Sequence, residues 1–295
     1  MRKLHIINLE KMGGVERLFL QYIQDVTTNQ DCIFCISNQI GPEIAQHLTG
    51  RKVTFVNRIL NNYPIKFPPF LRKYALQTKT WLANPEAIIV WDLVPVFVAK
   101  PTRGKVIYYD HGCSWRYPHN KKTMNFFAAL DGTISASYAS KRVIALRFNL
   151  SCPSQVLINR ILPPANIFAG DKPLTAPLRL GIAARLVGLK GISVALLTLK
   201  NLLDRGINVT LDIAGKGPDE HQFIQLAQKL GIAGNVNFLG FRDDLSDFFN
   251  SIHIYLSTPV TEPFGLSCLE SLFYGVPVIY PLIDGQPEVV KNGVC

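Results

Sequence analysis

No stretch of the 295-residue chain reaches the roughly 18 consecutive apolar residues of a membrane-spanning helix. The nearest candidate, 87–99, is too short and is interrupted by Asp92 and Pro95. The opening Met1-Arg2-Lys3-Leu4-His5-Ile6-Ile7-Asn8-Leu9 is too short and too polar for a secretory signal. This predicts a start in a reducing cytosol. Cysteine is sparse, with six residues, and only Cys32 and Cys35 have a suggestive spacing. They sit in a strand-like run, where residues three apart face opposite sides, so packing is expected there rather than zinc or redox chemistry. At 48% hydrophobic and 18% charged residues, the chain also lacks the composition of a disordered tail.

Acidic residues are missing from a long stretch. Between Glu43 and Glu86 there are none, while Arg51, Lys52, Arg58, Lys66, Arg72, Lys73 and Lys79 alternate with Phe55, Tyr63, Phe67, Phe70, Tyr74 and Trp81. Residues 1–165 carry a net charge of +12 and residues 166–295 carry −2. A basic, aromatic segment over 51–81 suits an anionic membrane surface or anionic acceptor, or is a solvated basic face over core aromatics. No nucleic-acid motif accompanies it, so no nucleic-acid partner is expected.

What is present is alternation. Short apolar runs at 4–9, 32–37, 53–56, 87–91, 105–109, 132–135 and 155–158 read as strands. Helical patterns fall at 15–26, 71–82, 123–130 and 139–146. A proline-rich break over 162–177 reads as a linker. A second alternation follows, with strands at 178–183, 208–213, 236–239, 252–256 and 276–280 and helices at 192–205, 220–230, 245–250 and 265–273. The expected architecture is α/β: two doubly wound, Rossmann-like domains, 1–162 and 178–295, joined by 163–177 and facing each other across a cleft. The end at Asn292-Gly-Val-Cys295 has no closing element and reads as a truncation.

The most specific stretch is Glu262-Pro-Phe-Gly-Leu-Ser-Cys-Leu-Glu270. Two carboxylates eight residues apart straddle a turn and a helix start whose free N–H groups suit an anion. They could grip sugar hydroxyls on either side of a phosphate; capping by Glu262 and a surface Glu270 is the simpler alternative. Upstream, Arg185 and Lys190 follow a strand, a planar fork and a point charge that suit a diphosphate, although solvated side chains would look the same. Ala214-Gly-Lys-Gly-Pro218 is a second glycine-rich turn.

Together with Val236-Asn-Phe-Leu-Gly240, these segments resemble the retaining family-four glycosyltransferases of the GT-B fold. The resemblance is strongest from 178 to 294 and looser in the first half. There, Met12-Gly13-Gly14-Val15-Glu16-Arg17 looks like the family's opening glycine loop and Tyr108-Tyr-Asp110-His111-Gly112 like its cleft histidine segment. Ser135-Ala-Ser137-Tyr138 resembles a serine whose role is capping or positioning. The chain departs from the family pattern at Asn159-Arg160, often Asn-Gly, and at Ile252-His253, often Ala-Asp.

The resemblance implies a nucleotide-diphosphate sugar as donor substrate, with no cofactor and no metal. It implies donor-binding roles for Arg185, Lys190, Gly215, Phe238, Arg242, Phe264, Gly265, Leu266 and Glu270. Glu262 and His111 would stand at the reacting sugar as the catalytic pair, and Gly13 and Gly14 would form the acceptor-side loop. It further implies a glycan or glycolipid acceptor in bacterial surface polysaccharide or lipopolysaccharide synthesis, at the cytoplasmic face of the membrane. Front-face transfer, in which the leaving diphosphate helps take the acceptor proton, would need orientation and charge stabilisation from the protein rather than a dedicated base. A non-catalytic glycosyltransferase-like subunit and another GT-B enzyme, such as a sugar-nucleotide epimerase, stay open at this level.

Overall fold

The computed structural model describes residues 2–26, 31–55, 84–92, 104–159, 161, 173–174 and 176–290. The helix expected at 71–82, nearly all of the basic segment 51–81 and most of the linker lie outside them. The chain divides into two units, Met1–Asn159 and Arg160–Cys295.

The first unit is a seven-stranded sheet in the order β3-β2-β1-β4-β5-β6-β7. Its strands are β1 Lys3–Ile7, β2 Cys32–Cys35, β3 Val53–Phe55, β4 Ala87–Val90, β5 Lys105–Asp110, β6 Gly132–Ser135 and β7 Ser154–Val156. All neighbouring pairs are parallel. Helix α1, Gly14–Asp25, follows β1, and the short α2, Pro42–Ala45, follows β2; α3, Lys121–Ala128, and α4, Tyr138–Phe148, flank β6 in the chain.

The period-two alternation of the strands sorts side chains to opposite faces. Leu4, Ile6, Ile88, Val90, Val106 and Tyr108 pack with Phe127, Ile144 and Phe148 from α3 and α4. Ile7, Ile33, Cys35, Ile89 and Tyr109 pack with Phe19 and Ile23 from α1. Because both faces are covered, the central strands read as continuous apolar runs, and all four residues of β4 are buried. Cys32 and Cys35 fall on opposite faces, and every described cysteine is a free thiol. Ser137 caps α4 by accepting the Ser140 N–H at 3.0 Å, and Asn149 ends that helix in the left-handed region.

The second unit has five parallel strands in the order β10-β9-β8-β11-β12. These are β8 Leu178–Ala183, β9 Val209–Ala214, β10 Val236–Gly240, β11 Ile254–Leu256 and β12 Val278–Ile279. Its helices are α5 Ile192–Asp204, α6 Glu220–Lys229, α7 Ser246–Ser251, α8 Leu266–Phe273 and α9 Gln286–Val289. Leu180, Ile182, Leu211 and Ile213 pack on one face with Leu196 and Leu199 of α5 and Phe223 of α6. Ala183 and Ala214 meet Phe248, Phe249 and Ile252 on the other.

Two strands of the second unit are shorter than their hydrophobic runs suggested. β11 begins at Ile254 rather than 252, because the imidazole of His253 takes the Arg179 N–H at 2.9 Å in place of a ladder carbonyl. β12 holds only Val278 and Ile279; Val276 is used in turning out of α8, its N–H bonded to the Ser271 carbonyl, and Pro277 has no N–H to donate. The short α2 and α9 were not anticipated from periodicity, being only one turn each.

The apolar stripe of α5 gives a paired test. Leu199→Ala removes a fully buried side chain and should cost about 2–5 kcal/mol. Leu197→Ala, at a half-exposed position two residues away, should change stability by less than about 0.5 kcal/mol. Denaturant midpoints of the two variants check this.

Candidate functional site

In open parallel sheets ligands collect beyond the carboxyl ends of the strands where the strand order reverses. In the second unit that point lies between β8 and β11. The loop after β8 carries Arg185 and Lys190, and the loop after β11 carries Glu262. Their ends meet. The Lys190 ammonium and the Glu262 carboxylate form an ion pair, with side chains 32% and 15% exposed. Glu262 is thus turned toward the cation of the neighbouring loop, whereas helix capping was the simpler expectation.

Both loops are held by backbone contacts. At Gly191, which closes the turn after Lys190 with φ +65°, a side chain would run into the Thr258 carbonyl. Only glycine combines that conformation with so close an approach. The Thr258 hydroxyl donates to the Gly191 carbonyl at 2.9 Å, and the Val260 N–H to the Leu189 carbonyl at 2.9 Å. Asp219 accepts the Gly188 N–H at 2.8 Å from the other side. Gly215, with φ +139°, presses on the Ala184 carbonyl in the same way, which brings the loop after β9 against the loop after β8.

The Glu262 loop rests on Asp284, whose Oδ2 accepts the Thr261 hydroxyl at 2.8 Å and the Glu262 N–H at 2.9 Å. Asp284 has φ +47°, a left-handed conformation that aspartate tolerates better than most residues. The adjoining Gln286 is fully buried and donates to the Ser257 hydroxyl at 2.6 Å. Asp219, Thr258, Asp284 and Gln286 escaped the sequence reading because each acts on a loop distant in the chain.

Phe264 and Gly265 are buried, and Gly265 opens α8 with φ +89°. Leu266 begins the helix and Glu270 lies one turn in, half-buried. The Tyr255 hydroxyl sits 3.0 Å from the Ala183 carbonyl and 2.7 Å from Ser267 Oγ, which fastens the start of α8 to the end of β8; burial holds its proton far above the ordinary tyrosine range. Arg185 is exposed, as is Arg242 beyond β10, while Phe238 packs partly into the core. The structure therefore brings Lys190 and Glu262 into contact, with Gly215 one loop away; it records no contact of Arg185 or Arg242 with them.

In the first unit the corresponding reversal lies between β1 and β4. Gly13 precedes α1 in extended backbone, φ −149°, and a Cβ there would meet the Glu16 carboxylate at 2.7 Å. Gly14 is the first residue of the helix. The small residues thus leave room for a carboxylate of the chain itself at this helix start. His111 follows β5 and stacks on Trp91, with ring centroids 5.5 Å apart and planes 7° from parallel, and lies 4.2 Å from the Tyr109 ring. Both its ring nitrogens are buried without a hydrogen-bond partner. Burial lowers its pKa to about 3, so the imidazole is neutral at physiological pH. The loop that carries it is organised by Asp110, whose carboxylate accepts Ser140 Oγ at 2.6 Å, the Gly112 N–H at 3.1 Å and the Ser114 N–H at 3.4 Å. Burial raises the Asp110 pKa against these hydrogen bonds. Next to Trp91, His5 is also buried and its pKa is lowered by burial to about 4.

The family described as glycosyl transferases group 1 matches residues 169–295, the stretch that carries the Lys190–Glu262 pair. That segment is similar to the group 1 glycosyltransferases. It is 34% identical over 112 residues to an uncharacterized glycosyltransferase of Methanocaldococcus jannaschii, covering 37% of this chain and 28% of that protein. It is 30% identical over 123 residues to the lipopolysaccharide core biosynthesis glycosyltransferase LpsE of Rhizobium meliloti, covering 42% of this chain and 35% of that protein. The chain thus spans about a third of the length of the curated relatives it matches. Among solved structures, Anabaena HepE in complex with UDP and glucose superposes over 100% of this chain and 84% of its own, with TM-score 0.75 and 20% identity. The lipopolysaccharide outer core galactosyltransferase WaaB matches over 98% of this chain and 82% of its own, with TM-score 0.72 and 18% identity. The fold of the whole chain, two Rossmann-like units, is therefore that of the GT-B glycosyltransferases. Among the described residues no helix is long and apolar enough to cross a membrane.

The buried His5 and the buried ring nitrogens of His111 make a pH prediction. With folded pKa values near 3 and 4 against 6.5 unfolded, the unfolded chain binds the extra protons as pH falls through 6.5. Stability is fully present above that value and should drop by on the order of a few kcal/mol by about pH 4.5. Asp110 acts in the opposite sense. Denaturant midpoints from pH 7 to 4.5 should fall for the parent and markedly less for His111→Leu.

Proposed function

We propose that the protein is a retaining glycosyltransferase that moves a hexose from a nucleotide-diphosphate sugar to a glycan or glycolipid acceptor of the bacterial cell surface. The observation that carries this is the meeting of Lys190 and Glu262 at the strand-order reversal of a group 1 domain. A cation for a diphosphate and a carboxylate for sugar hydroxyls stand there on adjoining loops.

In this reading Lys190 and Arg185 hold the diphosphate, and the charge they supply stabilises the leaving group without a metal. Glu270, one turn into α8, takes the ribose hydroxyls; the backbone at Phe264 to Leu266 and the Glu262 carboxylate hold the donor sugar. Gly215 lets its loop approach the nucleotide, and Phe238 to Arg242 border the base. Neutral His111, its ring nitrogens buried, positions its loop by stacking on Trp91 and does not abstract a proton. Gly13 and Gly14 stand on the acceptor side. The relative LpsE, named for lipopolysaccharide core biosynthesis, and the neighbour HepE, solved with UDP and glucose, support the donor and acceptor classes. The basic, aromatic segment 51–81 would dock the enzyme on the anionic inner face of the membrane.

Binding of UDP-, GDP- and ADP-sugars by titration calorimetry tests the donor site. One nucleotide class should bind, and Arg185→Ala and Glu270→Ala should each weaken it about tenfold or more. Failure of all three classes would overturn the reading. Cosedimentation with vesicles rich in anionic lipid tests the docking surface: binding should fall as salt rises, and binding to neutral vesicles should be weak.

A further inference from the structure

We propose that Glu262 is a built-in counter-ion that the donor must displace from Lys190, and that this exchange makes the site prefer an intact nucleotide sugar over a bare nucleoside diphosphate. The inference rests on the donor-site reading above and concerns what the same pair does before and after the sugar is present.

The Lys190 ammonium already has a carboxylate partner. A diphosphate arriving at Lys190 competes with that carboxylate, and winning the cation leaves Glu262 without its partner. Its side chain is only 15% exposed, so water replaces the lost contact poorly. Nor can the residue withdraw by moving its backbone. Asp284 holds the Glu262 N–H at 2.9 Å and the Thr261 hydroxyl at 2.8 Å, and the Gly285 N–H holds the Glu262 carbonyl at 3.2 Å. The Lys190 turn is fixed likewise, by Asp219, Thr258 and Val260. Exchange is therefore a rotation of two side chains between two rigid loops.

A donor carrying its sugar offers the freed carboxylate a replacement, since sugar hydroxyls donate to both of its oxygens. A nucleoside diphosphate offers none. After transfer the spent nucleotide faces a carboxylate that regains Lys190 when the product leaves, so the ion pair favours release of product over release of donor.

Calorimetric titration of UDP and UDP-glucose into the parent chain, Glu262→Gln, Lys190→Met and the double variant tests this, with thermal unfolding as the check on folding. Glu262→Gln should bind UDP about three- to tenfold more tightly than the parent, having no anion to displace. It should bind UDP-glucose no more tightly, so that the preference for the intact donor collapses. The gain must vanish when Lys190→Met is already present, because the cation for which the two anions compete is gone. If Glu262→Gln is unstable, Glu262→Asp, with a shorter reach to Lys190, should show a gain in the same direction. A folded Glu262→Gln that binds UDP no more tightly than the parent overturns the proposal, as does a gain that persists in the Lys190→Met background. A parent chain that binds neither UDP, GDP and ADP nor their glucose conjugates overturns the donor-site reading itself, and the exchange with it.

Discussion

The close passage of the Gly191 backbone against Thr258 is the constraint on which the second unit's site depends. It forces the loop after β8 and the loop after β11 into contact, and it leaves no room for a side chain between them. Once they touch, Lys190 and Glu262, 72 residues apart in the chain, come within reach of each other and pair. The same device recurs at Gly215, which brings in the loop after β9. Three loop ends thereby converge at one end of the sheet, and the glycines are what allow the convergence.

Rigidity around the pair comes from side chains that would touch no ligand. Asp219 and Thr258 hold the lysine turn, Asp284 and Gln286 the glutamate loop, and Tyr255 ties the start of α8 to β8. This division follows from chemistry. In the proposed reading the groups that meet a diphosphate and a sugar have to be charged and reachable, whereas the groups that orient them need only hold neighbouring loops, Tyr255 and Gln286 from the interior and Asp284 from an exposed position. In the first unit a buried carboxylate likewise shapes a loop. Asp110 is buried beneath several donors and shapes the loop, while His111 keeps two ring nitrogens unpaired beside Trp91.

Of the two departures from the family pattern, that at His253 finds a local explanation, while Arg160 lies outside the described residues. His253, where the family often has aspartate, uses its ring nitrogen to accept the Arg179 N–H. Arg179 in turn reaches across to Asp212, which also accepts the Asn237 amide, so a polar ladder crosses three strands. Asn159, at the end of the first unit, is buried with its side-chain carbonyl 3.4 Å from the Tyr109 hydroxyl. Both residues keep a polar group satisfied inside the fold.

The parallel sheets, the number and order of strands along the chain and the faces of most helices were legible in the sequence, because period-two and period-3.6 hydrophobic patterns are written in neighbouring residues. The motifs that hold Arg185, Lys190, Glu262 and Glu270 were readable as a resemblance too, because each motif is local. Strand ends at 252 and 276 were misjudged, since a side chain of His253 and the missing N–H of Pro277 ended ladders that hydrophobicity would have continued. Tertiary structure alone decided that Glu262 meets Lys190 instead of capping α8, and that the ring nitrogens of His111 are buried and its imidazole neutral. Each of those depends on groups brought together from distant segments, and burial and pairing across such distances leave no trace in local sequence.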